Sequence, residues 1–213
     1  MNPYYSKTET KTPPKFEVIG ITGVPEIQPG DQLGKLIIEA SENQETPLEN
    51  GDILVIAQKI VSKSEGRLVE LNKVLPSDFA KQLASDCQRD PRLIELVLRE
   101  SRAIVRMDPA RGILITETNH GLVCANSGID TSNIQGHEVV SLLPKNPDSS
   151  ALRIRQEIEC NINDSSVAII ISDTFGRAWR EGHVNMAIGV SGINTIKDYR
   201  GTQDSTGKKV RVT

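Results

Sequence analysis

Short runs of Ile, Val and Leu, separated by turns rich in Gly, Pro, Asn and Asp, organise this chain. Residues 16–22 alternate apolar and polar positions, the period of a strand with one covered face. Residues 23–30 (GVPEIQPG) contain two prolines and two glycines and read as a loop. Asp31 then reads as the N-cap of a short helix that carries Leu33, Leu36, Ile37 and Ala40 on one side. Residues 53–57 form an unbroken apolar run, the pattern of a strand buried on both faces.

Further on, Leu75-Pro76-Ser77-Asp78 opens a helical stretch that Asp90-Pro91 interrupts, with Pro91 suited to the first turn of a second helix reaching Glu100. Residues 104–107 and 113–118 predict strands, joined to 122–125 by a hairpin-type turn at Asn119-His120-Gly121. A helix capped near Asp148 or Ser149 runs to about Asn161. Strand 167–171 follows, then a turn at Asp173, then the apolar run 186–190. Residues 208–213 have the pattern of an amphipathic strand. The expected class is α/β with mixed α and β elements: a polar, mobile arm over residues 1–15, followed by one large domain over 16–213. Because no closing helix follows 208–213, a C-terminal segment is expected to be missing.

Composition narrows the partners. The 213 residues permit a substantial core, but aromatic residues make up only 3%, so aliphatic side chains must fill it. A net charge of −3 provides no basic field for nucleic acid or an anionic membrane. No apolar run approaches the ~20 residues that span a bilayer. The start lacks the apolar core of a secretory signal. Three separated cysteines, Cys87, Cys124 and Cys160, read as reduced, buried, small apolar residues of a cytoplasmic protein.

Two acidic turns carry the candidate chemistry. Asn126-Ser127-Gly128-Ile129-Asp130 follows 122–125, and Ser172-Asp173-Thr174-Phe175-Gly176-Arg177 follows 167–171. Either aspartate alone reads equally as a cap or an Asx turn. The repeated setting, with the Thr174 hydroxyl adjacent, favours ligation of a hard cation such as Mg²⁺ or Mn²⁺ by oxygen donors. Lys59, Lys63 and Arg67 recur at four-residue spacing directly after a core strand, where phosphate-binding loops emerge. Arg177 and Arg180 form a second cationic pair; Trp179, His120 and His183 are given no catalytic role. The stretch from Gly201 to Lys209 imitates a P-loop but has five residues between its glycines and Lys209 in place of the Ser or Thr, so it reads as a turn.

The ordered set GVPEIQPGDQL, GDILVIAQKIVSKSEGR, HGLVCANSGIDTSN, LLPKNPDSSA and ISDTFGRAWREGHVNMAIGVSG resembles the coenzyme F420-0:γ-glutamyl ligase family from about Phe16 to the last residue. The resemblance implies an unusual mixed-sheet fold, an intertwined homodimer, and GTP-dependent attachment of L-glutamate to F420-0 through an acyl phosphate, with γ-linked additions thereafter. It implies two Mg²⁺ or Mn²⁺ ions and one K⁺. By position, Asp130, Asp173 and Thr174 match metal ligands. Val24, Pro25, Glu26, Ile27, Gln58, Lys59, Lys63 and Asn133 match nucleotide contacts, with Lys63 also expected to act in catalysis alongside the two aspartates. Two departures stand out. The family continues past this terminus with a helix and a Gly/Glu-containing nucleotide-binding segment that supplies a further metal ligand, and at Gln58-Lys59 relatives can carry small hydroxyl residues.

Overall fold

A computed structural model of the chain describes residues 15–131, 138–162, 166–176 and 181–211. The N-terminal arm up to residue 14, Asn133, Arg177, Trp179 and Arg180 lie outside the described residues.

Helix α1 (Leu33–Asn43) turns Leu33, Ile37, Ile38 and Ala40 inward. Its N-cap is Gln32, without a side-chain cap; Asp31 instead accepts the Gln28 amide at 2.7 Å and closes the preceding turn. Strand β1 (Ile53–Ala57) passes directly into helix α2 (Gln58–Ser64), and strand β2 (Leu68–Glu70) follows. Helix α3 (Asp78–Cys87) is capped by Ser77, and helix α4 (Pro91–Arg99) by Asp90 with proline in its first turn, as their sequences predict. Strands β3 (Ser101–Asp108), β4 (Ile113–Thr118) and β5 (Val123–Ala125) form an antiparallel sheet in that order. Strand β6 (Val139–Ser141) pairs with β2. Helix α5 (Pro147–Glu159) begins earlier than its sequence suggests, because Asn146 caps it by accepting the Ser149 amide.

Strands β7 (Ala168–Gly176) and β8 (His183–Ser191) complete a mixed sheet, β1-β7-β8, in which β1 and β7 are parallel and β7 and β8 antiparallel. Helices α1 and α5 cover one face of it, sealing Leu54, Ile56, Ile169 and Ile171 in the main core. Two smaller cores lie under α3–α4 and beside β6, and Ile129 packs against both. Gly189 lets the start of α5 lie on β8, since a Cβ there would fall 2.4 Å from the Pro147 backbone.

Several expectations change. Residues 16–22 form no strand: they find no ladder partner among the described residues, and Phe16 and Val18 remain 92% and 85% exposed. The segment is tied instead to the Gln44 carboxamide, whose oxygen accepts from the Thr22 amide and hydroxyl and whose nitrogen donates to the Gly20 carbonyl. Strand β1 is buried on one face rather than two, with Val55 64% exposed, because the helices cover only the other side. Asp173 sits inside β7 and not in a turn, since pairing with β8 prolongs the strand to Gly176. Residues 208–211 form no strand and contribute one isolated bridge, Gln203 to Lys209. Cys87 and Cys124 are buried, but Cys160 ends α5 exposed. Among the described residues no helix is long and apolar enough to cross a membrane.

Gly189→Ala should lower stability by about 1–3 kcal/mol through overpacking against Pro147, read as an earlier midpoint in urea unfolding. An unchanged midpoint would show that the α5–β8 contact yields freely.

Candidate functional site

Asp130 arrives through an unusual turn. Asn126, Ser127 and Gly128 all adopt positive φ, at 51°, 53° and 69°, a region that side chains bearing a Cβ rarely occupy. Gly128 is required twice over, because a Cβ there would meet the Leu143 side chain at 2.8 Å. Asp130 then exchanges both backbone hydrogen bonds with Ser141, at 3.0 and 2.9 Å. Its carboxylate pairs with the Lys59 ammonium at 2.7 Å. Lys59 stands in the first turn of α2, just beyond the end of β1.

Asp173 projects from β7 on the face shared with Ile171 and Phe175, by strand alternation. Burial raises its carboxyl above the ordinary range; the Asp130 charge raises it further, while the Thr174 amide, at 2.8 Å, and Lys59 act in the opposite sense. The Cys124 thiol is pushed up to about 11, first by burial and then by the charge of Asp173. Asp173 thus lies within electrostatic range of Asp130, Lys59 and Cys124. The two acids reach this neighbourhood by different routes, Asp173 from within β7 and Asp130 from the turn after β5.

The remaining predicted residues are placed as follows. Thr174 leaves β7 on the opposite face, where its hydroxyl donates to Asn185 at 2.8 Å. Gln58 is buried and accepts from the Ser62 hydroxyl. Lys63, one turn after Lys59, is nearly buried and ion-paired with Glu26. Val24 and Ile27 pack on the main core, whereas Pro25 and Glu26 are exposed, so the 23–30 loop lies alongside α2. Arg67 separates from the two lysines and binds Glu100 and the Leu143 carbonyl. His120 contacts the Lys145 carbonyl, away from the two acids in sequence and partner.

The sequence reading missed the groups that anchor the Asp130 turn. Ser127 is 1% exposed and lies within hydrogen-bonding distance of the Ser101 and Thr116 hydroxyls, at 2.6 and 2.7 Å. Nothing in the pattern of β4 marks Thr116 as buried, because Ile113 and Ile115 are the more apolar alternate positions. Two buried polar atoms flank the acid without a hydrogen bond: Asn126 Oδ1 in the turn and Ser141 Oγ on the residue bridged to Asp130. Among the described residues no group of three or more His, Cys, Asp or Glu gathers. The available donors are oxygen, which suits a hard divalent cation better than zinc.

The chain is thus a mixed α/β protein in which two carboxylates and a lysine lie within electrostatic range of one another. The F420-0:γ-glutamyl ligase family model matches residues 22–213, and the chain belongs to this family. It is 43% identical to the coenzyme F420:L-glutamate ligase of Methanocaldococcus jannaschii, over 93% of this chain and 76% of that protein. The similarly named protein of Methanopyrus kandleri is 44% identical, over 88% of this chain and 71% of its own length. That of Methanothermobacter thermautotrophicus is 40% identical, over 93% and 77%.

Asp173 binds its proton more tightly folded than unfolded, so its own contribution to the stability of the metal-free protein should become less unfavourable as pH falls from neutral toward the unfolded value of 3.8. Asp173→Asn should therefore raise the neutral-pH Tm in the presence of a chelator. The gain should shrink on acidification, and calorimetry across pH measures it. A variant that melts lower at neutral pH would show that the carboxylate stabilises the fold.

Proposed function

We propose that this chain joins L-glutamate to coenzyme F420-0, with GTP activating the acceptor carboxylate. One observation supports the reading: the charges of Asp130 and Lys59 act on Asp173, and Lys59 pairs with Asp130, in a chain whose relatives bear that ligase's name. In the activating step a carboxylate oxygen of the acceptor bonds to the γ-phosphorus, the bond to the β,γ-bridging oxygen breaks, and GDP leaves. The amino nitrogen of glutamate then bonds to the acyl carbon, phosphate leaves with the C–O bonding pair, and the amine proton passes to solvent. The product again ends in carboxylates, so the γ-carboxylate can enter another round.

Asp130 and Asp173 are the residues that would hold Mg²⁺ or Mn²⁺. Fit is supported by the oxygen donor set, the like charges kept together, and the unpartnered Asn126 and Ser141 oxygens nearby. When bound, a divalent cation supplies Lewis-acid stabilisation to phosphate oxygens. Lys59 and Lys63, on successive positions of one helix face, neutralise charge on the triphosphate. Gln58 and the Val24–Pro25–Glu26–Ile27 loop border the same helix and line the nucleotide. Cys124, whose thiol stays neutral, adds a small dry wall that keeps water from the activated acyl group.

The open apolar surface supports a homodimer. Ile53 and Val55 on β1, Phe16 and Val18 before α1, and Met186 on β8 are all exposed, and a second copy would cover such residues. Sedimentation should give twice the chain mass, and a monomer at micromolar concentration would count against it.

Incubation with GTP, Mn²⁺, L-glutamate and F420-0 should yield a glutamylated product by mass spectrometry. GDP release with a different carboxylate acceptor, and none with F420-0, would transfer the same chemistry to another substrate. Lys59→Met should lower kcat/KM for GTP by about 10²–10³-fold, and Asp173→Asn should abolish turnover while remaining folded. Full activity in either variant would remove that residue from the site.

A further inference from the structure

The turn that delivers Asp130 is held by three hydroxyls that neither contact the carboxylate nor follow from the family's site residues. We infer that Thr116, Ser127 and Ser101 are positioning residues that fix the Asp130 carboxylate, a proposal that rests on the ligase reading above.

The geometry closes as one network. Thr116 Oγ1 accepts the Ser127 amide at 3.1 Å and lies 2.7 Å from Ser127 Oγ. Ser127 Oγ lies 2.6 Å from Ser101 Oγ and 3.2 Å from the Val97 carbonyl, to which Ser101 Oγ also donates. Three protons then serve the chain Thr116 to Ser127 to Ser101 to Val97, and the Ser127 amide completes it. Loss of the Thr116 hydroxyl leaves the buried Ser127 amide without its acceptor, whereas Ser127 Oγ still reaches the Val97 carbonyl if Ser101 is truncated. The network joins the C-terminal end of α4, the first residue of β3 and the middle of β4 to a single turn residue.

Why this turn needs such an anchor follows from its backbone. Three successive residues at positive φ are unfavourable unless the surroundings over-determine them. Only Gly128 and Ile129 separate Ser127 from Asp130; the first is pressed against Leu143, and the second packs on two cores. A displacement at Ser127 therefore has little slack to absorb it before the carboxylate. On the far side Ser141 holds Asp130 by its backbone alone. The hydroxyl network sets where the acid starts, and the bridge sets where it ends.

Thr116→Val keeps the side-chain shape and removes the hydroxyl, whereas Thr116→Ser keeps the hydroxyl. With Thr116→Val, the Kd for Mn²⁺ measured by titration calorimetry should rise about 10–100-fold, the range found when groups supporting metal ligands are lost. The kcat should fall while KM for F420-0 stays within about twofold, and Thr116→Ser should return both values close to those of the unaltered protein. Amide exchange at Asp130 should also accelerate, a readout that needs no metal. A purely structural anchor would lower Tm and leave the Kd unmoved; that result, or unchanged amide exchange, overturns the inference. Should the unaltered protein itself bind no Mn²⁺, the metal reading of Asp130 fails, and the exchange measurement still decides the positioning role. If Thr116→Val does not fold, Ser101→Ala, which cuts only the outer link, should weaken Mn²⁺ binding measurably, and no change would overturn the inference equally.

Discussion

Two carboxylates held within electrostatic range of each other, both partly buried, are the constraint on which this molecule depends. Left alone, Asp130 and Asp173 repel each other, and burial raises the carboxyl of Asp173. Lys59 offsets part of that cost at 2.7 Å from Asp130. The rest must come from a scaffold that cannot relax the acids apart. Such an arrangement costs the chain stability by itself, the usual relation between a strained site and its function.

The scaffold answers this demand by supplying the partners from separate elements. Asp173 pairs with Met186 of β8, one residue beyond the end of the β1 ladder at Ser172, so one ladder sets its backbone directly and the other holds its neighbour. Lys59 stands where β1 becomes α2 without an intervening loop. Asp130 has no strand of its own and relies on a left-handed turn, its clamped glycine and the buried hydroxyls beneath it. The least regular segment of the site thus has the densest polar support, as expected where backbone conformation is unfavourable locally.

A second tension concerns surface. Helices α1 and α5 cover one side of the three-stranded sheet, and the opposite side of β1 keeps aliphatic residues in the open. The same surplus appears in residues 16–19, which have the alternation of a strand and no ladder. Apolar period and backbone capacity to pair are both present there, and what is lacking is a neighbour within the described chain. Sequence periodicity reports that a segment can be a strand, whereas pairing depends on whether an edge is within reach.

Local chemistry was legible wherever a residue acts on its own neighbours. Residues 75–78 lead into α3, Pro91 opens a helix, and residues 113–118 make a strand between turns, all because these effects extend only a few residues. The two acids were also visible as candidates, along with the family that contains them. Tertiary structure decided the rest. It lengthened β7 through Asp173, turned the Thr174 hydroxyl toward Asn185, sent Arg67 to Glu100 and buried Thr116 in place of Ile113. Each of those outcomes depends on partners distant in the chain, and energies set by such contacts leave no mark on the local pattern of residues.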